Sequence, residues 1–196
     1  MIRAQICLVW CLTGLLGSPL MGQTLLYKVY KGQTEVGWMR VNKVMQDGNE
    51  HFSLDCNMDV KMMFSMNLQF TYEANFQSGH LTSSLTRNFR NGSEKSHSEG
   101  KRVNHIYRTI RDGKAYETPA DIDFCIIRTY WEEPVGRSQV FSERWGHYLP
   151  FEQVGPHKYR VLLPTGNYNY MTYREGKCVE LQVNHTLATL FFRLVE

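Results

Sequence analysis

The sequence of 196 residues lacks a long apolar run after residue 22, so no later segment is suited to cross a membrane as a helix. It also lacks the Cys-x-x-Cys spacing of common zinc sites and the Gly-x-Ser-x-Gly turn of many hydrolases. Its net charge is only +3, with basic and acidic residues mixed along the chain, which gives no indication of nucleic-acid binding. We predict no cofactor, no metal and no enzymatic activity.

Residues 1–22 have the character of a secretory signal peptide. A positive charge precedes an apolar run at 6–16, and Gly22 is a small residue suited to cleavage before Gln23. The run is short for a membrane span, although a retained anchor is the alternative. We therefore predict an exported chain, periplasmic or secreted, with a single antiparallel β domain over residues 23–196.

Cysteine is scarce, and three of the five cysteines lie beyond the predicted cleavage position. An odd number in an exported chain implies at least one free thiol or an intermolecular bond. Cys56 lies on the apolar face of a predicted strand, where a small buried thiol is the simplest interpretation. Cys125 and Cys178 are a possible disulfide pair, and the sequence alone does not give the distance between them.

The clearest pattern in the chain is a two-residue alternation between residues 52 and 76. Apolar side chains occupy the even positions and polar ones the odd positions, with Met63 as the apolar exception. Because successive side chains of a strand point to opposite faces, this stretch predicts two long antiparallel strands that turn near Ser65.

The apolar face of these two strands is the candidate wall of a ligand site. Several of its residues are methionines, which adapt to irregular apolar shapes. The alternative is an ordinary packed core. The predicted wall consists of Leu54, Met58, Met62, Phe64, Met66, Leu68, Phe70 and Tyr72.

Turn signals recur along the chain at intervals of about ten residues. Asp47-Gly48 and Asn91-Gly92 are typical hairpin turns. The polar segment 93–99 has no apolar side, so we predict that it lies at a sheet edge or rim and turns at Gly100-Lys101. The pattern predicts a mainly β fold, an antiparallel meander that forms a curved sheet, half-barrel or barrel of about 10–13 strands.

The meander is interrupted between residues 119 and 134. Here we predict one short helix near 121–131, capped by Asp121 or Asp123, which covers one side of the curved sheet. The apolar stripe of this helix would consist of Phe124, Ile127 and Trp131.

The chain resembles a group of uncharacterised exported bacterial proteins in four stretches. These are YKVYKGQTEVGWMRV at 27–41, LDCNMDVKMMF at 54–64, YWEEPVGRSQVFSERWGHYLPFE at 130–152 and LPTGNYNYMTYREGKCVELQV at 163–183. The shared motifs are structural in character, such as the aromatic–Glu–Pro corner at 131–134 and the Ser142-Glu143 pair. The resemblance implies a half-barrel antiparallel sheet similar in fold to envelope lipoprotein carriers. It implies no catalytic residue, because the group has no assigned activity.

Four functional hypotheses follow. The first is a non-enzymatic exported protein that holds an apolar or lipid-like ligand in a curved sheet. The second is a structural or assembly module that binds another envelope protein through a sheet edge, with residues 93–99 and the odd thiol as its motivation. A small outer-membrane barrel is the third, because alternation also suits strands that face lipid. The fourth is a hydrolase that uses Asp121, Asp123 or Glu143.

Overall fold

A computed structural model describes residues 21–61, 65–185 and 188–195. The predicted signal peptide lies outside these residues except for Met21 and Gly22, which begin the first strand, and it stays a prediction. The strands are β1 Met21–Lys31, β2 Thr34–Gln46, β3 Asn49–Lys61, β4 Ser65–Gln77, β5 His80–Arg90, β6 Ser93–Val103, β7 Ile106–Arg111, β8 Lys114–Pro119, β9 Gln139–Ser142, β10 His147–Gly155, β11 Lys158–Leu162, β12 Tyr168–Arg174, β13 Lys177–His185 and β14 Ala188–Leu194.

All fourteen strands belong to one antiparallel sheet that does not close. Its order is β8-β7-β6-β5-β4-β3-β2-β1-β14-β13-β12-β11-β10-β9, so β8 and β9 are the two edges. The predicted mainly β, antiparallel fold is confirmed, with one strand more than the predicted 10–13. The strand that the sequence did not predict is β8. Its residues do not alternate between apolar and polar, and only Thr118 among them is buried.

The sheet is strongly curved. A short 3-10 helix, Ile126–Tyr130, packs against both β4 and β13, which are five places apart in the strand order. In a flat sheet, five steps of 4.8 Å would separate these strands by about 24 Å, more than twice the width of a helix. The sheet therefore wraps around the helix, as a half-barrel does.

The predicted alternation is present in β3 and at the end of β4. In β3 the even-numbered residues are buried, while Asp55 and Asp59 between them are exposed. In β4, Ala74 and Phe76 are buried in the same way. β3 ends at Lys61 and β4 begins at Ser65, and the residues on which the predicted turn falls lie outside the described ones. The buried residues of β3 are Glu50, Phe52, Leu54, Cys56, Met58 and Val60.

The predicted edge or rim position of residues 93–99 holds only for the first part of the segment. These residues belong to β6, which pairs with β5 from Ser93 onward, whereas its pairing with β7 covers only residues 98–103. The predicted turn at Gly100-Lys101 was wrong, because β6 continues through both residues and the chain turns after Val103.

The small polar residues of β6 face the interior because larger groups cover them. A Cβ on Gly100 would stand 2.5 Å from Cε1 of Tyr107 and 2.7 Å from Oγ of Ser84, so the tyrosine ring occupies the space that a side chain would take. The Ser98 hydroxyl donates a hydrogen bond of 2.9 Å to the backbone oxygen of Glu143. Tertiary contacts of this kind bury individual residues of a strand that local patterning marks as exposed.

The predicted short helix is confirmed, but its predicted caps were wrong. Cys125 occupies the N-cap position and makes no side-chain cap hydrogen bond. Asp121 is exposed, and Asp123 binds the Arg137 guanidinium over 2.9 and 3.1 Å. The hydrogen bonds from Arg137 hold the pKa of Asp123 below its ordinary value. Asp123 therefore forms an ion pair with Arg137 from the following loop and does not cap the helix.

Candidate ligand-binding cavity

The curved sheet forms the walls of a half-open cavity of about 690 Å³, which is within the range typical of small-molecule sites. One wall comes from β2 to β6 and the facing wall from β10 to β14, with the 3-10 helix between them. The buried part of its lining is mostly apolar. It consists of Met39, Leu54, Cys56, Met58, Tyr130, Leu149, Val161, Met171, Leu181, Leu190 and Phe192, together with the polar residues Asn88 and Ser142.

Five of the eight residues in the predicted ligand wall line this cavity. They are Leu54, Met58, Leu68, Phe70 and Tyr72. Met66 is on the same strand but is not among the lining residues, and Met62 and Phe64 lie outside the described residues.

The two predicted strands pair across the wall with Met58 opposite Leu68 and Leu54 opposite Tyr72. On the β3 side these residues are buried, whereas their β4 partners are half-buried. The open space of the cavity therefore exposes the side chains of β4 more than those of β3. The facing wall was missed in the sequence, because strand alternation at 159–163 and 179–183 does not reveal which strands meet across a curved sheet.

Tyrosines anchor the helix at the deep end of the cavity. The Tyr130 ring lines the cavity and meets the Tyr27 ring edge to face, with centroids 5.8 Å apart. The Tyr27 hydroxyl donates a hydrogen bond of 2.6 Å to the backbone oxygen of Cys178 on β13. Burial raises the pKa of both phenols well above the ordinary value, so both stay protonated, and Tyr27 remains a hydrogen-bond donor.

The start of the helix is held by Glu143, which follows β9. Its two carboxylate oxygens accept hydrogen bonds from the backbone N–H groups of Ile126, at 3.1 Å, and Ile127, at 2.9 Å. Glu143 is only 1% exposed, and burial raises the pKa of its carboxyl despite the opposing hydrogen bonds from Cys125, Ile127 and Ile126. It therefore supplies the cap that Cys125 lacks, and it is not among the cavity-lining residues.

The opening of the cavity is polar. Arg90, Lys95 and Thr165 line it and are exposed. Deeper in, Asn169 lines the cavity from β12, and its Oδ1 atom is buried without a hydrogen-bond partner among the described residues. The cavity thus grades from an apolar interior to a polar mouth.

The three cysteines beyond residue 22 are free and buried. The possible disulfide between Cys125 and Cys178 is therefore not formed. Cys56 lines the cavity, but burial raises the pKa of its thiol to about 12. A thiol that stays protonated at neutral pH is a poor nucleophile.

Neither a metal-binding cluster nor a membrane-spanning helix is found among the described residues. No group of three or more His, Cys, Asp or Glu side chains in residues 21–61, 65–185 and 188–195 is placed to hold a metal ion. In the same part of the chain, no helix has the length and apolar character that a membrane span requires.

The fold and the cavity together define a class of protein, in which an unclosed, curved antiparallel sheet forms the walls of a largely apolar cavity. The chain belongs to the DUF6134 family, a domain of unknown function whose family model matches residues 27–195. No curated protein and no solved structure matches it significantly. The predicted membership in a family of unknown function with an antiparallel sheet is confirmed, while the predicted likeness to lipoprotein carriers stays a prediction.

Proposed function

We propose that this protein is exported, to the periplasm or beyond, and binds an apolar or lipid-like molecule in its cavity without catalysing a reaction. The observation that carries the proposal is the cavity of about 690 Å³, to whose lining both walls of the sheet contribute apolar side chains. Protein interiors are normally close-packed. A space of this size favours a ligand site over the alternative of an ordinary core.

Burial along the wall supports the same conclusion. Leu68, Phe70 and Tyr72 belong to the apolar face of β4, yet they are only half-buried because the cavity reaches them. A ligand that covered these side chains would remove their apolar surface from water, which contributes about 25 cal/mol for each Å². The wall is therefore suited to an apolar chain.

The alternative of an envelope assembly module keeps only part of its motivation. Residues 98 and 99 are paired on both sides, whereas residues 93–97 pair with β5 alone, so the free edge that they leave is short. The thiols are buried, so they are unsuited to an intermolecular bond. Binding in the cavity is the function that the geometry supports best.

Filling the cavity provides the test. Val183 lines the cavity from β13 and is half-buried, so Val183→Trp places an indole in the space without replacing a fully buried residue. We expect this change to weaken binding of a fluorescent fatty-acid analogue, such as anthroyloxy-stearate, by about tenfold or more. The affinity is measured by fluorescence titration of the purified chain.

The matched control is Val154→Trp on β10. Val154 is 41% exposed and does not line the cavity, so the affinity of this variant should equal that of the unchanged protein. Two results would refute the proposal: no saturable binding by the unchanged protein, or equal binding by both tryptophan variants. The second result would place the probe outside the cavity.

A further inference from the structure

The charged side chains that line the cavity are all basic. Arg90, Lys95 and Arg144 line it, and among the described residues no Asp or Glu does so. The described part of the chain elsewhere mixes both signs, as the many surface ion pairs show. The cavity is therefore a local region of positive charge on a nearly neutral protein.

The basic residues lie at the mouth of the cavity. Arg90 and Lys95 are exposed, whereas the apolar lining residues of β3 and β14 are buried. Arg90 directly faces the wall residue Leu68 on the neighbouring strand. Lys95 lies where the pairing of β5 with β6 shifts by one residue, and such a bulge changes the direction in which a side chain points.

Arg144 extends the positive charge inward, and its position is fixed. It is half-buried, and the buried Asn88 amide is best oriented with its oxygen toward it, where it accepts a hydrogen bond from Nε over 3.2 Å. The guanidinium lies 5.4 Å from the centroid of the Trp145 ring. It is also close enough to Tyr72 to oppose the rise in the pKa of that phenol which burial causes. The wall residue and the arginine are thus neighbours.

Arg144 has no carboxylate partner among the described residues, unlike most arginines that are as buried as it is. The half-buried arginines that do form ion pairs are Arg111, Arg128, Arg137 and Arg160. A partly desolvated cation without a counter-charge costs free energy. An anion in the cavity would offset that cost through charge-assisted hydrogen bonds, for which a guanidinium is well shaped.

We propose that the ligand is an anionic amphiphile whose carboxylate or phosphate binds Arg144, with Arg90 and Lys95 around it, while its acyl chain lies against the apolar wall. This inference rests on the proposed function and adds the charge of the head group and the direction in which the ligand enters. The chain lies toward the helix, and the head group faces the mouth between the β5–β6 turn and residues 163–167.

The test compares ligands with the same chain and different head groups. Hexadecanoate and hexadecyl phosphate are anionic, hexadecanol is neutral and hexadecyltrimethylammonium is cationic, while acetate and inorganic phosphate supply the anionic groups without a chain. We expect both anionic amphiphiles to displace the fluorescent probe at about one-tenth of the concentration that hexadecanol needs. The cation should be the weakest amphiphile, and the two short anions should not displace the probe.

Arg144→Gln should remove most of the preference for the anionic amphiphiles while changing hexadecanol binding less than twofold. The control is Arg108→Gln, which makes the same change of charge at an exposed residue of β7 that does not line the cavity; it should behave like the unchanged protein. If Arg144→Gln does not fold, Arg90→Gln with Lys95→Gln at the exposed mouth should reduce the same preference.

Each contrary result has a distinct meaning. Equal affinity for hexadecanoate and hexadecanol in the unchanged protein would overturn this inference and leave the proposed function intact. Displacement of the probe by acetate or phosphate alone would also overturn it, because the site would then bind anions without an acyl chain. Failure of every amphiphile to displace the probe would overturn the proposed function itself.

Discussion

Glu143→Ala should lower the free energy of unfolding by about 4 kcal/mol. The change leaves the backbone N–H groups of Ile126 and Ile127 without the acceptors that now lie 3.1 and 2.9 Å away. It also opens a void at a residue that is 1% exposed. Because these bonds hold the helix that borders the cavity, probe binding should weaken together with stability. Urea unfolding followed by tryptophan fluorescence measures the change.

Glu143→Gln separates the charge of this residue from its shape. Burial raises the pKa of Glu143 above the ordinary 4.5, so the folded chain binds this proton more tightly than the unfolded chain does. The stability that this group contributes is therefore fully present below pH 4.5 and is lost as the pH rises through the raised pKa. The stability of the unchanged protein relative to the Gln variant should decrease from pH 4 toward pH 8, and an increase would contradict this account of the cap.

Gly37→Ala is the second change with a large expected effect, a loss of about 3 kcal/mol. Gly37 pairs with Met58 across β2 and β3. A Cβ at this position would overlap the backbone oxygen of Asn57 and come within 2.6 Å of Cα of Met58. The obstacle is backbone, so the strands must separate, and Met58 moves with the cavity wall. The entropy gained on replacing glycine, at most about 1 kcal/mol, is too small to compensate.

Gly155→Ala is the matched control for Gly37→Ala. A Cβ there would meet nothing closer than Cβ of Lys158 at 3.8 Å, so its stability should stay within about 0.5 kcal/mol of the unchanged protein. Chemical denaturation of both variants gives the comparison. Equal stability of the two alanine variants would show that β2 and β3 do not approach at Gly37 as described.

The sequence predicted best where one local rule decides the outcome. In β3 and β4 the side-chain period alone determines which residues face inward, and Val60 and Asp59 lie on the predicted sides. The turn residues Asp47 and Asn91 adopt positive φ as hairpin turns require. These features depend on neighbours in the chain, which the sequence displays directly.

Predictions failed where a distant residue decides the outcome. The cap of the helix comes from Glu143, 17 residues beyond Ile126, and not from the nearby aspartates. The polar β6 is covered only in part, because β7 pairs with residues 98–103 and the Tyr107 ring occupies the space beside Gly100. No sequence pattern indicated Arg144 as a binding residue. Its proposed role depends on the curvature of the sheet, which brings distant strands together around the cavity.

The most direct measurement of the central claim is native mass spectrometry of the mature chain purified, without detergent, from the envelope or medium of an exporting host. The proposal predicts a fraction of the protein with an additional mass that corresponds to an anionic amphiphile. That additional mass should disappear on organic extraction and be absent from Val183→Trp but present in Val154→Trp. A single mass equal to that of the bare chain, together with failure to take up added hexadecanoate or hexadecanol, would contradict the claim that the curved sheet exists to hold a ligand.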